Sequence, residues 1–362
     1  MPKYLYDKSV MVTRADGSKK RIRVRGNDEA EVNEKIALIK FQEQAGLIVF
    51  NSNTPFDRWA EEWLEVYKKP KVTQGTYLEI KGILDRCFIP YLGKMKIGDI
   101  KLPQVQKCLN QLEGKSKSYI HRAYIYISAC FRKAWEAEMI QRSPCIGLEE
   151  PNAAEKTERR ALTPTERRYF LEAIQTHHKG AFFGIMYACG LRPAEARALT
   201  WFNINMHDKT VTVTQAFAER TNDLKAPKTE SGKRTIPIPD WYMDILMDIP
   251  RDNCPYVFHT DRGNPLDPTR YDRVWKTLLR EMEIKAGAKL YRNKIIMYSG
   301  HIGQDLTPYN LRHTYATELA EKGVPIKTAQ YLLGHSDIRV TANIYTHVTE
   351  KLIEEARAKI NA

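Results

Sequence analysis

The sequence predicts an α+β protein, mostly α with small β-sheets, in three parts: a small basic hairpin-and-helix domain, a helical-bundle domain and a larger mixed domain. Three observations predict it. Apolar residues recur at helical spacing along most of the chain, while strict alternation is confined to short stretches. Two strong helix starts, Thr54-Pro55 and Thr163-Pro164, each follow a polar segment. Those polar segments, around Asn51-Ser52-Asn53 and from Glu149 to Arg160, read as a joint and an exposed linker. The expected boundaries are therefore 1–50, 53–150 and 158–362, and 362 residues suit two or three domains.

In the first part, Val10, Val12, Ile22 and Val24 alternate with polar residues on either side of Asp16-Gly17, a strong hairpin signal. Lys19, Lys20, Arg21, Arg23 and Arg25 crowd the second strand. Asn27 and Asp28 lead into a helix carrying Val32, Ile36, Ile39 and Phe41. A unit this small buries little, so its basic face is read as a contact surface in preference to a merely solvated strand.

In the second part, Phe56, Trp59, Ala60, Trp63, Leu64 and Tyr67 form a helical core stripe. A second helix runs from about Thr76 through Tyr77, Ile80, Ile83, Leu84 and Phe88, and a short one follows Pro103. A long one follows Lys117, with Ile120, Ala123, Tyr124, Ile127, Phe131, Ala134 and Trp135. Lys68, Lys69, Lys71, Lys115 and Lys117 put the positive charge of the bundle on its loops. In the third part, Thr163, Pro164 and Glu166 open a helix through Phe170, Leu171 and Ile174. Val211 and Val213, then Arg234-Thr-Ile-Pro-Ile-Pro, suggest a small sheet with a hairpin tip near Ser231-Gly232.

Composition narrows the function. A net charge of +13 and a pI near 9.3 favour a polyanionic partner, because Lys and Arg that neutralise phosphates release condensed counterions. The six cysteines are scattered, form no C-x-x-C pair and sit outside ligand spacing of any His; they read as reduced structural thiols, and no metal is expected. No apolar run reaches about eighteen residues and no signal-peptide layout is present, so the expectation is a cytoplasmic protein with no membrane partner.

Four separated segments carry chemistry. Ala188-Cys-Gly-Leu-Arg192-Pro-Ala-Glu195 places an arginine at a turn into a helix, with an acid three residues on. Lys225-Ala-Pro-Lys228-Thr-Glu-Ser-Gly-Lys-Arg-Thr-Ile-Pro puts a lysine beside a hairpin. Leu306-Thr-Pro-Tyr309-Asn-Leu-Arg312-His313-Thr has Thr307 as cap, Pro308 as first helical residue, and Tyr309 and Arg312 on one face. Leu332-Leu-Gly-His335-Ser-Asp precedes Thr341-Ala-Asn-Ile-Tyr345-Thr-His347. Each alone reads equally as a surface charge, a basic turn or a structural aromatic.

In this order and spacing, the four segments resemble the catalytic domain of the tyrosine recombinases, the phage integrase family, over roughly residues 160–350. The first two domains resemble the arm-binding and core-binding domains of bivalent integrases from phages and integrative conjugative elements; Xer- and Cre-like members lack the first. The resemblance implies site-specific cleavage and rejoining of duplex DNA at attachment sites by a homotetramer on synapsed DNA. It also admits an excisionase or DNA-bending protein as accessory partner. By the same resemblance, Arg192 and Arg312 match the two phosphate-clamping arginines, whose planar, always-charged guanidiniums suit charge building on non-bridging oxygens. Lys228 matches the lysine that protonates the leaving 5′ oxygen, and Glu195 an acid that orients the first arginine. His335 matches a histidine bonded to the scissile phosphate, and Tyr345 the nucleophile.

Tyr309 departs from the pattern, which usually has His there. A phenol with a reference pKa of about 10 is a poor base at neutral pH but a good donor, which favours phosphate contact over proton transfer. His313 lies about 100° around the helix from Arg312 and is read as a supporting residue. Leu352, Ile353, Ala356 and Ile360 make an amphipathic tail that either caps its own domain or docks on a neighbouring protomer. No cofactor is implied. Two rivals remain: a type IB topoisomerase-like relaxing enzyme, and a catalytically dead DNA-binding protein of the same fold. A metal-dependent nuclease is disfavoured, since no acidic cluster has ligand spacing.

Overall fold

In the computed structural model, residues 5–13, 19–44, 53–155, 159–218, 220–226 and 232–345, with Arg357 and Ile360, are described. The Asp16-Gly17 turn, Lys228, Ser231 and the tail residues Leu352, Ile353 and Ala356 lie outside them. The chain divides into two units, Met1–Lys156 and Thr157–Ala362. Helices make up about 53% of it and the sheets are small, so the expected mostly-α class with small sheets is borne out.

The first unit opens with antiparallel strands β1 (Tyr6–Thr13) and β2 (Lys19–Gly26), followed by α1 (Glu29–Gln44). Val10 pairs with Ile22, and Val10, Val12, Val24 and Val32 form a small buried core against Ile36 and Ile39. Phe41 was expected on that stripe but is exposed. It lies nine residues beyond Val32, roughly 180° around a helix of 3.6 residues per turn, and so faces away. The strand alternation that points Ile22 and Val24 at the core turns Lys19, Arg21, Arg23 and Arg25 to the other face. There Arg23 and Arg25 both bond Asp7, and Arg21 donates to Ser9 Oγ at 2.8 Å.

The bundle comprises α2 (Phe56–Glu62), continued as a π-helical turn over Trp63–Lys68, then α3 (Gln74–Cys87), α4 (Ile89–Leu92), α5 (Leu102–Asn110) and α6 (Lys117–Glu136). The first helix begins one residue later than expected, with Pro55 as its cap. Its stripe is buried from Phe56 to Leu64, with Tyr67 half-buried against it and Phe56 stacked on Phe131 at 5.0 Å between centroids. Trp135 instead faces solvent, about 100° around α6 from the buried Ala134. Lys68 lies over the Trp63 ring and Lys69 pairs with Glu65, while Lys71, Lys115 and Lys117 are exposed. The stretch expected as a free linker is partly tied down: the Asn152 carbonyl accepts from Gly114 N, and Ala154 N donates to the Lys115 carbonyl.

The second unit is built around α8 (Gly180–Cys189), whose nearly unbroken apolar run is buried on all sides as a central helix must be. It packs against α7 (Pro164–Thr176), α10 (Asp240–Met247) and α12 (Pro308–Glu321). The Thr163–Glu166 capping box opens α7 as expected. Glu166 and Asp305 both bind Arg160, which therefore belongs to this unit and not to an open linker. After the short α9 (Pro193–Arg197), strands β3 (Ile204–Asn205), β4 (Thr210–Val213) and β7 (Arg234–Pro237) form an antiparallel sheet with β4 central. Between β4 and β7, β5 (Ala216–Phe217) pairs with β6 (Leu224–Lys225). The chain then runs through α11 (Pro268–Lys285), the hairpin β8 (Lys289–Tyr291) and β9 (Lys294–Met297), α12, α13 (Ile326–Leu333) and α14 (Ile338–Tyr345). Among the described residues, no helix is long and apolar enough to cross a membrane.

Candidate active site

Two helix ends create the site. Helix α8 stops at Gly190 and α13 at Gly334, both left-handed (φ 63°). Such a cap leaves the last carbonyls of a helix without partners inside it, at the negative end of the dipole. Three arginines take them. Arg234 Nε donates to the Leu332 carbonyl at 2.8 Å, Arg312 to that of Leu333, and Arg192 Nη2 to that of Gly334 at 3.2 Å. Arg312 also donates to the Gly190 carbonyl at 2.6 Å. The Gly-Leu-Arg and Leu-Gly-His motifs are thus helix caps that orient guanidiniums. A Cβ on Gly190 would stand 2.3 Å from the Tyr315 ring, and one on Gly334 2.8 Å from Arg234 Nη1.

Glu195 sits among these cations. Its carboxylate accepts from Arg192 Nη1 at 2.7 Å and from both terminal nitrogens of Arg234 at 2.8 and 3.1 Å, with Arg312 at 4.0 Å. Burial alone would raise its pKa; the hydrogen bonds and charge of Arg234, with the charges of Arg192 and Arg312, hold it at about 2. Three cations around one anion leave an uncompensated positive excess. Burial, then the charge of Arg192, pushes Arg312 down to about 9, which leaves it protonated at neutral pH. Arg192 remains about a third exposed, so it can meet a ligand.

His335 follows the α13 cap. Its Nδ1 lies 2.9 Å from Oγ1 of the buried Thr341, and its backbone carbonyl accepts from Gln330 at 3.0 Å. Burial, then the charges of Arg312, Arg192 and Arg234, pushes its pKa to about 3, so the imidazole is neutral. Tyr345 ends α14, which packs on α12 and α13. Burial raises its pKa, and its hydroxyl donates to the Val324 carbonyl at 3.0 Å. Tyr309 is half-buried one turn before Arg312, with the Arg159 guanidinium 4.8 Å over its ring. Its helix opens with Asn310 Oδ1 accepting from the Thr307 amide and hydroxyl. His313 is half-buried on the same helix.

Arg192, Glu195, Arg312 and His335 thus come together, joined by one residue the sequence reading passed over. Arg234 was read only as part of an extended segment, yet it is the most enclosed cation of the group. The signal was available: Ile236 must face the core, and a residue two positions earlier on a strand shares its face. Lys19, Arg21, Arg23, Arg25 and the bundle lysines belong to the other unit.

Comparison with known proteins bears on the family and the fold. Residues 160–351 match the Phage integrase family and residues 56–112 its N-terminal SAM-like domain. A XerC-like tyrosine recombinase of Caldanaerobacter subterraneus subsp. tengcongensis is 30% identical over 342 residues, covering 84% of this chain and 81% of its own. The fold is shared with the Tn1549 transposon integrase in complex with transposon right end DNA (TM-score 0.66, 20% identity, 85% of this chain and 100% of that one). It is shared also with the lambda integrase tetramer bound to a Holliday junction (TM-score 0.58, 17% identity, 92% and 91%). The chain belongs to the phage integrase family, the tyrosine recombinases, enzymes of site-specific DNA recombination.

Proposed function

We propose that this chain is the bivalent integrase of a phage or conjugative element and that Tyr345 is its nucleophile. The observation that carries the reading is the arginine cluster on Glu195, a preformed positive site beside a neutral histidine. Arg192 and Arg312 hold the two non-bridging oxygens of the scissile phosphate. Their guanidiniums are already oriented by helix-end carbonyls, so little reorganisation is needed as charge builds. Neutral His335 donates from Nε2 when Nδ1 accepts from the Thr341 hydroxyl. The Tyr345 hydroxyl leaves the Val324 carbonyl, releases its proton to solvent and attacks phosphorus in line, forming a 3′-phosphotyrosyl bond. The P–O5′ bond breaks, and Lys228 supplies the proton to the leaving oxygen. Tyr309 contacts the phosphate as a donor, with Glu195 and His313 supporting. The bond energy is retained in the phosphotyrosine, so a 5′ hydroxyl from a partner site reverses the step without cofactor or metal.

Lys68, Lys69, Lys71, Lys115 and Lys117 serve core-site phosphates, and Lys19, Lys20, Arg21, Arg23 and Arg25 serve separate arm sites. The active assembly is a homotetramer on two synapsed sites, with an excisionase or DNA-bending protein setting direction. Mixing the protein with two labelled attachment-site duplexes in excess chelator, without ATP, tests this. Exchange of flanking sequences is expected. Cleavage and rejoining without exchange, with relaxation of a supercoiled plasmid in a parallel reaction, would indicate a topoisomerase, and binding without cleavage a dead recombinase fold.

A further inference from the structure

The loop between α10 and α11 has no helix of its own, yet it supports the site. Val257 N donates to the Leu199 carbonyl and Trp201 N to the Pro255 carbonyl, so the loop pairs with the segment that leaves α9. Arg197, buried at the end of α9, donates to the Leu266 carbonyl. Within this loop the donor atoms of Asp252, Cys254 and His259 all lie within 4.8 Å of one another. The sequence spacing of Cys254 and His259 suggests no ligand pair, but the turn at 260–263 and the bridge His259↔Pro265 fold the loop closed and bring them together.

We propose that Asp252, Cys254 and His259 bind one divalent metal ion of the zinc class, with a fourth position open to water, which clips this loop beneath α9. The donor set is mixed nitrogen, sulfur and oxygen, which zinc accepts and magnesium or calcium does not. Each ligand is already oriented by a partner behind it. His259 Nδ1 lies 2.8 Å from the Thr260 carbonyl, which fixes the proton there and leaves the Nε2 lone pair free. Asp252 Oδ1 accepts from Cys254 N at 2.9 Å, which leaves Oδ2 for the metal. The His259 Nε2 to Asp252 Oδ2 distance is 3.3 Å. A tetrahedral site with N and O bonds of about 2.0–2.1 Å has an N–O edge of about 3.3–3.4 Å. The Cys254 thiol lies 3.2 Å from the Gly263 carbonyl, and metal binding replaces that weak hydrogen bond. The other five cysteines are buried, so Cys254 is the accessible sulfur.

The test uses the full chain, stripped with chelator and titrated with cobalt(II), then zinc. One equivalent of cobalt should give a thiolate-to-cobalt charge-transfer band that zinc abolishes. Cys254→Ser should lose the band, and His259→Gln and Asp252→Asn should weaken cobalt binding at least tenfold. Zinc at a hundredfold excess over its Kd should raise the melting temperature of the wild type by roughly 5–10 °C and leave Cys254→Ser unmoved. Metal-free melting of each variant at the wild-type metal-free temperature separates ligand loss from misfolding; the exposed Asp252→Asn is the variant least able to disturb the fold. A band that survives Cys254→Ser, or a melting temperature indifferent to zinc, would overturn the site and leave an ordinary His259–Asp252 ion pair.

Discussion

Replacing Glu195 by Gln keeps the shape of the side chain and removes the anion at the centre of the arginine cluster. Two routes give the cost. The carboxylate pKa falls from 4.5 to about 2 on folding, and at about 1.4 kcal/mol per unit this is about 3 kcal/mol. Removing one partner from a buried ion pair typically costs about 3–5 kcal/mol, because the remaining charge stays buried. The routes agree, and a unit of this size loses roughly 2–4 °C per kcal/mol, so the melting temperature at pH 7 should drop by roughly 10 °C. Glu195 has a depressed folded pKa, so its stabilisation is present above the unfolded value and is lost as pH falls through the folded one. The gap between wild type and Glu195→Gln should therefore narrow from pH 4.5 down towards pH 2. Thermal denaturation of both proteins across that range checks it. Equal melting at pH 7, or a gap that does not change with pH, would refute the central role given to this carboxylate.

His335 has a folded pKa of about 3 against an ordinary 6.5, so the unfolded chain takes up the proton first. In the DNA-free protein, stability from this residue should be full above pH 6.5 and decline as pH falls towards 3, a decline that His335→Asn should remove in denaturant titrations. Tyr309→His should remain active, whereas Tyr309→Phe should lose about tenfold or more in single-turnover cleavage, the order expected for one transition-state donor; a fully active Phe variant would make the position structural. Replacing Arg21 and Lys19, on the exposed face of β2, by Glu in the full chain should abolish footprints outside the core while sparing cleavage of isolated core sites. A uniform, salt-dependent weakening on every duplex would instead make that face an electrostatic tether.

Much of this was legible because local rules and global fold agree. The Trp59–Trp63 stripe, the Thr163 capping box and the Val211–Val213 alternation each met the core they implied. Trp135 departs from its stripe because an apolar residue at the edge of a helical stripe is not bound to its centre, and Phe41 because nine residues carry it to the opposite side of α1 from Val32. In the site, the resemblance to the tyrosine recombinases pointed to Arg192, Glu195, Arg312 and His335, which the fold gathers from separate segments. What spacing could not express was the medium that joins them. Carbonyls freed at the ends of α8 and α13 are backbone groups without a sequence signature beyond the glycines that expose them. Arg234 reads from the sequence only as the start of an extended segment, and the strand register turns it inward. The Cys254–His259 approach depended on a turn that no periodicity encodes.

The central claim is that the Tyr345 oxygen, freed from the Val324 carbonyl, becomes the covalent partner of DNA. A core-site duplex nicked beside the scissile phosphate lets the short cleaved strand diffuse away and traps the intermediate. Peptide mapping of the trapped complex by mass spectrometry should place a 3′-phosphonucleotide on Tyr345. The adduct should form in excess chelator and be absent from Tyr345→Phe, which should still bind the duplex. An adduct that persists in the Phe variant, or one mapped to another residue, would contradict the account.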